Sequence, residues 1–345
     1  MKALVWEAPR AMAMREQARP EPGAGEVLVK VMYAGICGSE LSGYLGHNAL
    51  RVPPLVMGHE FAGEVAALGE GAVARNPSLA QGQAVTVNPL SSCGKCDYCT
   101  RGLNHLCARR KLLGAHLPGA YAEYVLAPAE SVLPLPAGMS ERTGALTEPV
   151  AVAVRIAELA SAARGEVALI VGAGPIGLLA LQALLANGTA RVFISDLEPA
   201  RLAMAADLGG EALHGRETDV VKTVHEATGG RGAAVAVDAV GSAVTRAQCI
   251  AATRAAGTVI LTGLHEESST LPVADVIRRE IVLRGSFAYT PANFADALAR
   301  LAKGEMRLDP WIVEAPLSEG GMWFDRLIEE PGGVAKVLLV PGDES

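Results

Sequence analysis

An excess of positive charge is missing from this 345-residue chain, in which 37 Asp and Glu outweigh 30 Lys and Arg for a net charge of −7. Nucleic-acid binding depends on neutralising phosphates with basic side chains, so this balance argues against such a partner. Long apolar runs are missing as well. The opening MKALVWEAPR has no hydrophobic stretch behind its basic residue, which predicts neither a signal peptide nor a membrane anchor, and hence a cytoplasmic protein. There is no internal repeat, and the only compositional bias is richness in alanine. Cysteine is scarce, with six residues, but four of them fall within the fifteen-residue stretch 93–107. In a reducing compartment such clustering argues for metal rather than disulfides.

At 345 residues the chain exceeds the roughly 250–300 at which one core stops growing, so two domains are expected. Residues 1 to about 149 read as short β-prone runs, ALVW, EVLVKVMYAG, EFAGEVAALG and AVTVN, broken by Gly and Pro. From about 165 the pattern becomes apolar strands (EVALIVG, ARVFISD, AAVAVDAVG, GTVILTG, EIVLRGSFA) alternating with Ala/Leu-rich helical stretches. Near-continuous apolar strands separated by helices indicate a doubly wound parallel sheet, an α/β fold of Rossmann type. The closing VAKVLLVP reads as a lone strand returning to the first domain. The expected division is 1–149 with 289–345, and 150–288.

In VALIVGAGPIGLLALQALLANG, a strand, a glycine turn and a helix follow in order, and Gly172, Gly174 and Gly177 supply the G-x-G-x-x-G spacing around Pro175 and Ile176. That spacing makes the turn, admits a pyrophosphate and lets the helix pack closely, with the helix N-terminus facing the phosphates. Nineteen residues on, Asp196 ends a strand where a carboxylate accepts both adenosine ribose hydroxyls and repels a 2′-phosphate, which predicts NAD over NADP. Its plainer reading is a helix N-cap before Pro199. Arg201 is either an adenosine neighbour or a solvated helix charge. Val240, Gly241, Gly263 and Leu264 follow strands at the edge where the cofactor belongs, and turning alone also explains them.

Cys93, Cys96, Cys99 and Cys107 are spaced to close four thiolates around one zinc with no position left for water, a structural site; an iron–sulfur cluster is the competing reading. A second, sparser set comprises Cys37 in AGICGSE, His59 and Glu60 in MGHEFAG, and Glu148 in LTEPVAV. One thiolate, one imidazole and one carboxylate leave a catalytic zinc an open position. Each has a bland alternative: a small buried hydrophobe, a loop histidine, a helix N-terminal charge. Tyr44, Leu55 and Tyr289 are candidate pocket residues, and Cys249 reads as an inert buried thiol.

Taken in order, GICGSE, GHEFAGEV, the four-cysteine lobe, AYAEYVL, TEPVAV, GAGPIG and VILTGL resemble the zinc-dependent medium-chain dehydrogenase/reductase family over essentially the whole chain. Glu148 with Pro149, where simple ethanol dehydrogenases have cysteine, is similar to the sorbitol, threonine and galactitol-1-phosphate dehydrogenase branch. The resemblance implies a GroES-like catalytic domain, a Rossmann NAD-binding domain, two zinc ions, and a homotetramer or homodimer acting on a small alcohol or ketone. It implies a catalytic zinc on Cys37, His59 and either Glu60 or Glu148, and Ser39 as the hydroxyl that takes the alcohol proton. Two departures stand out. Ser42 replaces the histidine that ends the proton relay in many relatives, leaving His47 or, preferably, water to finish it; Ala288 replaces an arginine before Tyr289, which argues against a strongly polar polyol. The activity implied is NAD-linked oxidation of a secondary alcohol or polyol. Alternatives are a polyol-phosphate dehydrogenase, a zinc-free quinone reductase and an inactive zinc- and nucleotide-binding protein.

Overall fold

The computed structural model describes residues 1–342 and divides the chain into two compact units. The first takes 1–148, 290–304 and 309 onward; the second takes 149–289 and 305–308.

The first unit is built on a seven-stranded sheet whose longest strands, Glu26–Gly35 and Glu60–Leu68, pair antiparallel. Buried Val27, Val29 and Val31 share one face, the alternation expected of a strand packed on a core. The register sets Gly35 opposite Glu60. On the other side of Gly35, antiparallel Lys336–Val340 brings in Leu338. Three segments far apart in sequence therefore meet at one end of the sheet, two residues before Cys37. A β-carbon on Gly35 would stand 2.3 Å from Glu60 Oε2, so only a bare backbone lets that carboxylate lie across the strand.

Beneath the sheet the core includes Trp6, Phe61, Tyr121 and Phe324. Tyr44 and Tyr121 meet Phe324 edge-on, with ring centroids 5.2 and 6.0 Å away. An aromatic of this size buries roughly 150–250 Å², worth about 4–6 kcal/mol before entropy is charged against it. Tyr44 is thus a core residue, not a pocket residue: the helix Gly38–Tyr44 turns it inward, and its hydroxyl donates to Asp325 at 3.0 Å. Leu55 sits in a short strand opposite Trp6. The short strands Leu90–Ser91 and Lys111–Leu112 pair at the base of the cysteine lobe.

The second unit is a six-stranded parallel sheet. Its spatial order is Glu211–His214, Arg191–Asp196, Val167–Val171, Ala233–Asp238, Thr253–Leu261, Val282–Gly285. The chain winds one way from Val167–Val171, then reverses to Ala233–Asp238, and that reversal opens the crevice in which such sheets bind nucleotides. The strand Glu211–His214 escapes a hydrophobicity reading because EALH is short and polar at both ends. Tyr289 is buried, as is Cys249, whose thiol burial pushes well above its ordinary value. No helix among the described residues is long and apolar enough to cross a membrane.

Candidate metal and cofactor sites

In the lobe, the sulfurs of Cys93 and Cys99 are 3.9 Å apart, Cys96 and Cys99 3.5 Å, and Cys96 and Cys107 3.8 Å. A tetrahedron with zinc–sulfur bonds of about 2.3 Å has edges of about 3.8 Å, so the four thiolates fit one zinc ion. An iron–sulfur cluster would hold them much farther apart. The Lys95 backbone N–H, foremost among several donors, draws the Cys93 thiol down to about 5, whereas at Cys96 the Cys99 backbone N–H is outweighed by burial and the neighbouring thiols, which push it up to about 11. A metal requires all four as thiolates.

Cys37, His59 and Glu60 bring their ligand atoms within 4.8 Å of one another. The sheet explains why: Glu60 begins the strand opposite Gly35, His59 immediately precedes it, and Cys37 follows Gly35 by two residues at the N-cap of the helix Gly38–Tyr44. Glu148 lies outside that trio, in the first turn of the helix Thr147–Leu159 and nearly buried. Ser39 places its hydroxyl 3.5 Å from Cys37 Sγ.

Sequence reasoning passed over Glu40, although it stands in GICGSE at the spacing of a helix capping box. Fully buried, it accepts from Cys37 N at 3.1 Å and Gly58 N at 2.8 Å, and it meets His59 Nδ1 at 2.7 Å. The Tyr121 hydroxyl donates to its other oxygen. With Nδ1 engaged, His59 has Nε2 left for a metal, the usual arrangement of a histidine ligand oriented by a carboxylate. Burial works to raise the Glu40 carboxyl, but His59, Arg51 and Tyr121 together bring it down to about 2.

Lys336 was passed over too. Its ammonium is nearly buried and meets Glu60 at 2.6 and 2.9 Å and the Ile36 carbonyl at 3.0 Å. Burial favours the neutral amine, yet the Glu60 carboxylate and then Cys37 more than offset it and keep the ammonium charged. Glu40 and Cys37 likewise overcome burial at His59 and draw a proton to it. Three acidic groups thus converge where a cation is wanted, which a divalent ion bound through thiolate, imidazole and carboxylate would satisfy.

In the second unit, Gly172 has φ of +103° and Gly174 caps the helix Pro175–Ala186, with Pro175 and Ile176 opening its first turn. A β-carbon on Gly174 would meet nothing within 4 Å, so the space over the helix N-terminus is open for a phosphate. At Gly177 it would stand 1.8 Å from the Gly172 carbonyl oxygen. Gly177→Ala must therefore spread the loop; NADH titrated by fluorescence should bind at least about tenfold more weakly, a loss of about 1.4 kcal/mol, and unchanged affinity would refute the loop's role. Asp196 accepts from Ala173 N at 2.6 Å and from the amides of Leu197 and Glu198, while Glu198 caps the next helix, so Asp196 braces the glycine loop instead of capping. Arg201 lies in that helix, Pro199–Asp207. Gly241 and Gly263 pack backbone against backbone at adjoining strand ends, Val240 beside them is partly exposed, and Leu264 is largely exposed.

Residues 23–137 match the alcohol dehydrogenase GroES-like domain, and residues 175–303 match the zinc-binding dehydrogenase domain. A sorbitol dehydrogenase of Halalkalibacterium halodurans is 35% identical over 337 residues, spanning 96% of each chain. The chain belongs to the zinc-dependent alcohol dehydrogenase family, and it is an oxidoreductase acting on CH–OH groups. Two solved family members resemble it throughout. A short-chain alcohol dehydrogenase (RspB) of Escherichia coli CFT073, complexed with NADH, has a TM-score of 0.90 at 28% identity and 99% coverage of both chains. A zinc-binding dehydrogenase of Sinorhizobium meliloti 1021, bound to NADP, has a TM-score of 0.89 at 30% identity and the same coverage. Zinc and a nicotinamide cofactor are the family's equipment, and the donor set and glycine cradle fit both.

Proposed function

We propose that this chain is an NAD-linked dehydrogenase that reversibly oxidises a secondary alcohol or polyol to the ketone, with one catalytic and one structural zinc. The observation that carries this reading is the meeting of Cys37, His59 and Glu60 at one point beside the Ser39 hydroxyl, separate from a complete four-thiolate site. The first unit holds the metals and the alcohol and the second the dinucleotide, the division expected at 1–149 with 289–345 and 150–288 shifting by one residue at each boundary and ceding 305–308 to the second unit.

Cys37, His59 and Glu60 would hold the zinc ion, whose Lewis acidity would let an alcohol O–H ionise near neutral pH. Glu40 keeps His59 in the tautomer that offers Nε2, and Lys336 presents Glu60 already oriented. Glu148, close by, is the reserve carboxylate. Ser39 Oγ receives the alcohol proton while passing its own onward, which a hydroxyl can do because it donates and accepts at once. Ser42 is half-buried and His47 exposed, so the proton is discharged to water. A dinucleotide held over the glycine loop of the second unit would supply the acceptor for the hydride, two electrons with one proton, that leaves the carbinol carbon, so that alcohol and NAD would give the ketone, NADH and the proton released through Ser39. Asp196, at the rim of the glycine loop, favours NAD by accepting from the ribose hydroxyls and repelling a 2′-phosphate.

A panel of secondary alcohols, polyols and polyol phosphates assayed for NADH formation tests this reading. At least one should be oxidised, turnover should vanish with a strong zinc chelator, and NADP should be about tenfold or more poorer than NAD, about 1.4 kcal/mol. Chelator-resistant turnover, or turnover with NADP alone, would sink it.

A further inference from the structure

Arg51 is 4% exposed; its charge helps hold the buried Glu40 ionised, yet among the described residues no carboxylate comes within 4.0 Å of its nitrogens. Buried guanidinium groups are ordinarily paired, because an isolated buried charge is costly. Here the fork goes to three uncharged oxygens: Nε donates to the Gly114 carbonyl at 3.1 Å, Nη1 to the Ser39 carbonyl at 3.1 Å, and Nη2 to Ser39 Oγ at 3.3 Å. The fold makes room for it. A β-carbon on Gly43, in the helix that carries Ser39, would stand 2.7 Å from Arg51 Cδ.

A serine hydroxyl has one proton and two lone pairs, and an arginine only donates. The contact at Oγ therefore takes one lone pair permanently, and the Ser39 proton can never be handed to Arg51. We propose that Arg51 is a positioning residue for proton transfer: it fixes the Ser39 hydroxyl with one lone pair open to the alcohol and its own proton directed at Cys37 Sγ, 3.5 Å away, from which it is free to swing to an outer acceptor. The inference rests on the reading of Ser39 given above. In the step it serves, the alcohol O–H proton moves to the open lone pair as the original Ser39 proton passes to a water or hydroxyl acceptor, so Ser39 ends as neutral as it began. Because the guanidinium also holds the Ser39 carbonyl, side chain and backbone are clamped together, which the single ammonium of lysine cannot reproduce.

The test is a double-mutant cycle on Arg51→Lys and Ser39→Ala, using the best-oxidised alcohol of the panel, with zinc content and thermal midpoint read beside kcat and KM. Positioned proton transfer is worth about 10²–10⁴ in rate. Arg51→Lys should lower kcat about tenfold or more with KM little changed and two zinc ions retained, but should cost less than about twofold once Ser39 is alanine, since residues that act as a unit are not additive. An equal loss in both backgrounds would reduce Arg51 to structural support and overturn the inference, leaving the role of Ser39 standing. Full activity in Ser39→Ala, or no turnover of any panel alcohol by the unaltered enzyme, would remove the parent reading and this one with it. Should Arg51→Lys lose zinc or melt early, Gly43→Ala serves in the same cycle, because it keeps the guanidinium and displaces its stem.

Discussion

Cys37→Ser should leave a folded protein that binds NADH normally, carries one zinc per chain instead of two, and has lost at least about 10² in kcat. The lower bound follows from the 10–100-fold usually lost when a residue that merely orients a metal ligand is changed; removing the ligand itself costs more. The structure confines the damage. Cys37 belongs to the three-residue cluster in the first unit, whereas the dinucleotide turn at Gly172–Gly177 and the four-thiolate lobe share no side chain with it. Zinc by metal analysis, NADH affinity by fluorescence and kcat on one alcohol decide the matter together. Two zinc ions and full turnover in the variant would show that the cluster is not the catalytic metal site.

Lys336→Met should destabilise the metal-free protein by about 3–5 kcal/mol, because it strands the Glu60 carboxylate in the interior without its cation. Glu60 is 1% and Lys336 3% exposed, so water cannot make good the loss. Adding Glu60→Gln to the same chain should restore much of the stability, since removing both charges leaves no orphan. If Glu60 is a ligand, zinc should restore stability to the single variant as well, which makes denaturant unfolding with and without zinc the informative measurement. A single variant as stable as the parent without metal would show that the ion pair is not what holds this corner of the sheet.

How legible these sites are in the sequence follows from how local their chemistry is. The glycine turn lies within six residues and the four thiolates within fifteen, and each motif carries its geometry in its spacing. Glu40, Arg51 and Lys336 are invisible to such reading. Glu40 resembles an ordinary first-turn helix acid, Arg51 in ALRVPP has no periodic signal, and Lys336 is a single basic residue in an apolar strand. Lys336 gains its meaning from the pairing of Gly35 with Glu60 on one side and Leu338 on the other, a register that depends on long-range strand order, and Glu40 and Arg51 gain theirs from contacts with His59, Ser39 and Gly114. Tyr44 shows the converse error: it is a candidate pocket residue in the sequence, but about two turns of helix carry it against Phe324.

That long-range order also bears on biosynthesis. Glu60 and Lys336 are separated by 276 positions, and the whole nucleotide-binding sheet is translated between them. At roughly 5–20 residues per second, the carboxylate leaves the ribosome some 14–55 seconds before its ammonium. For that interval a nascent chain has the thiol, imidazole and acid of the trio without the ammonium that later pairs with Glu60.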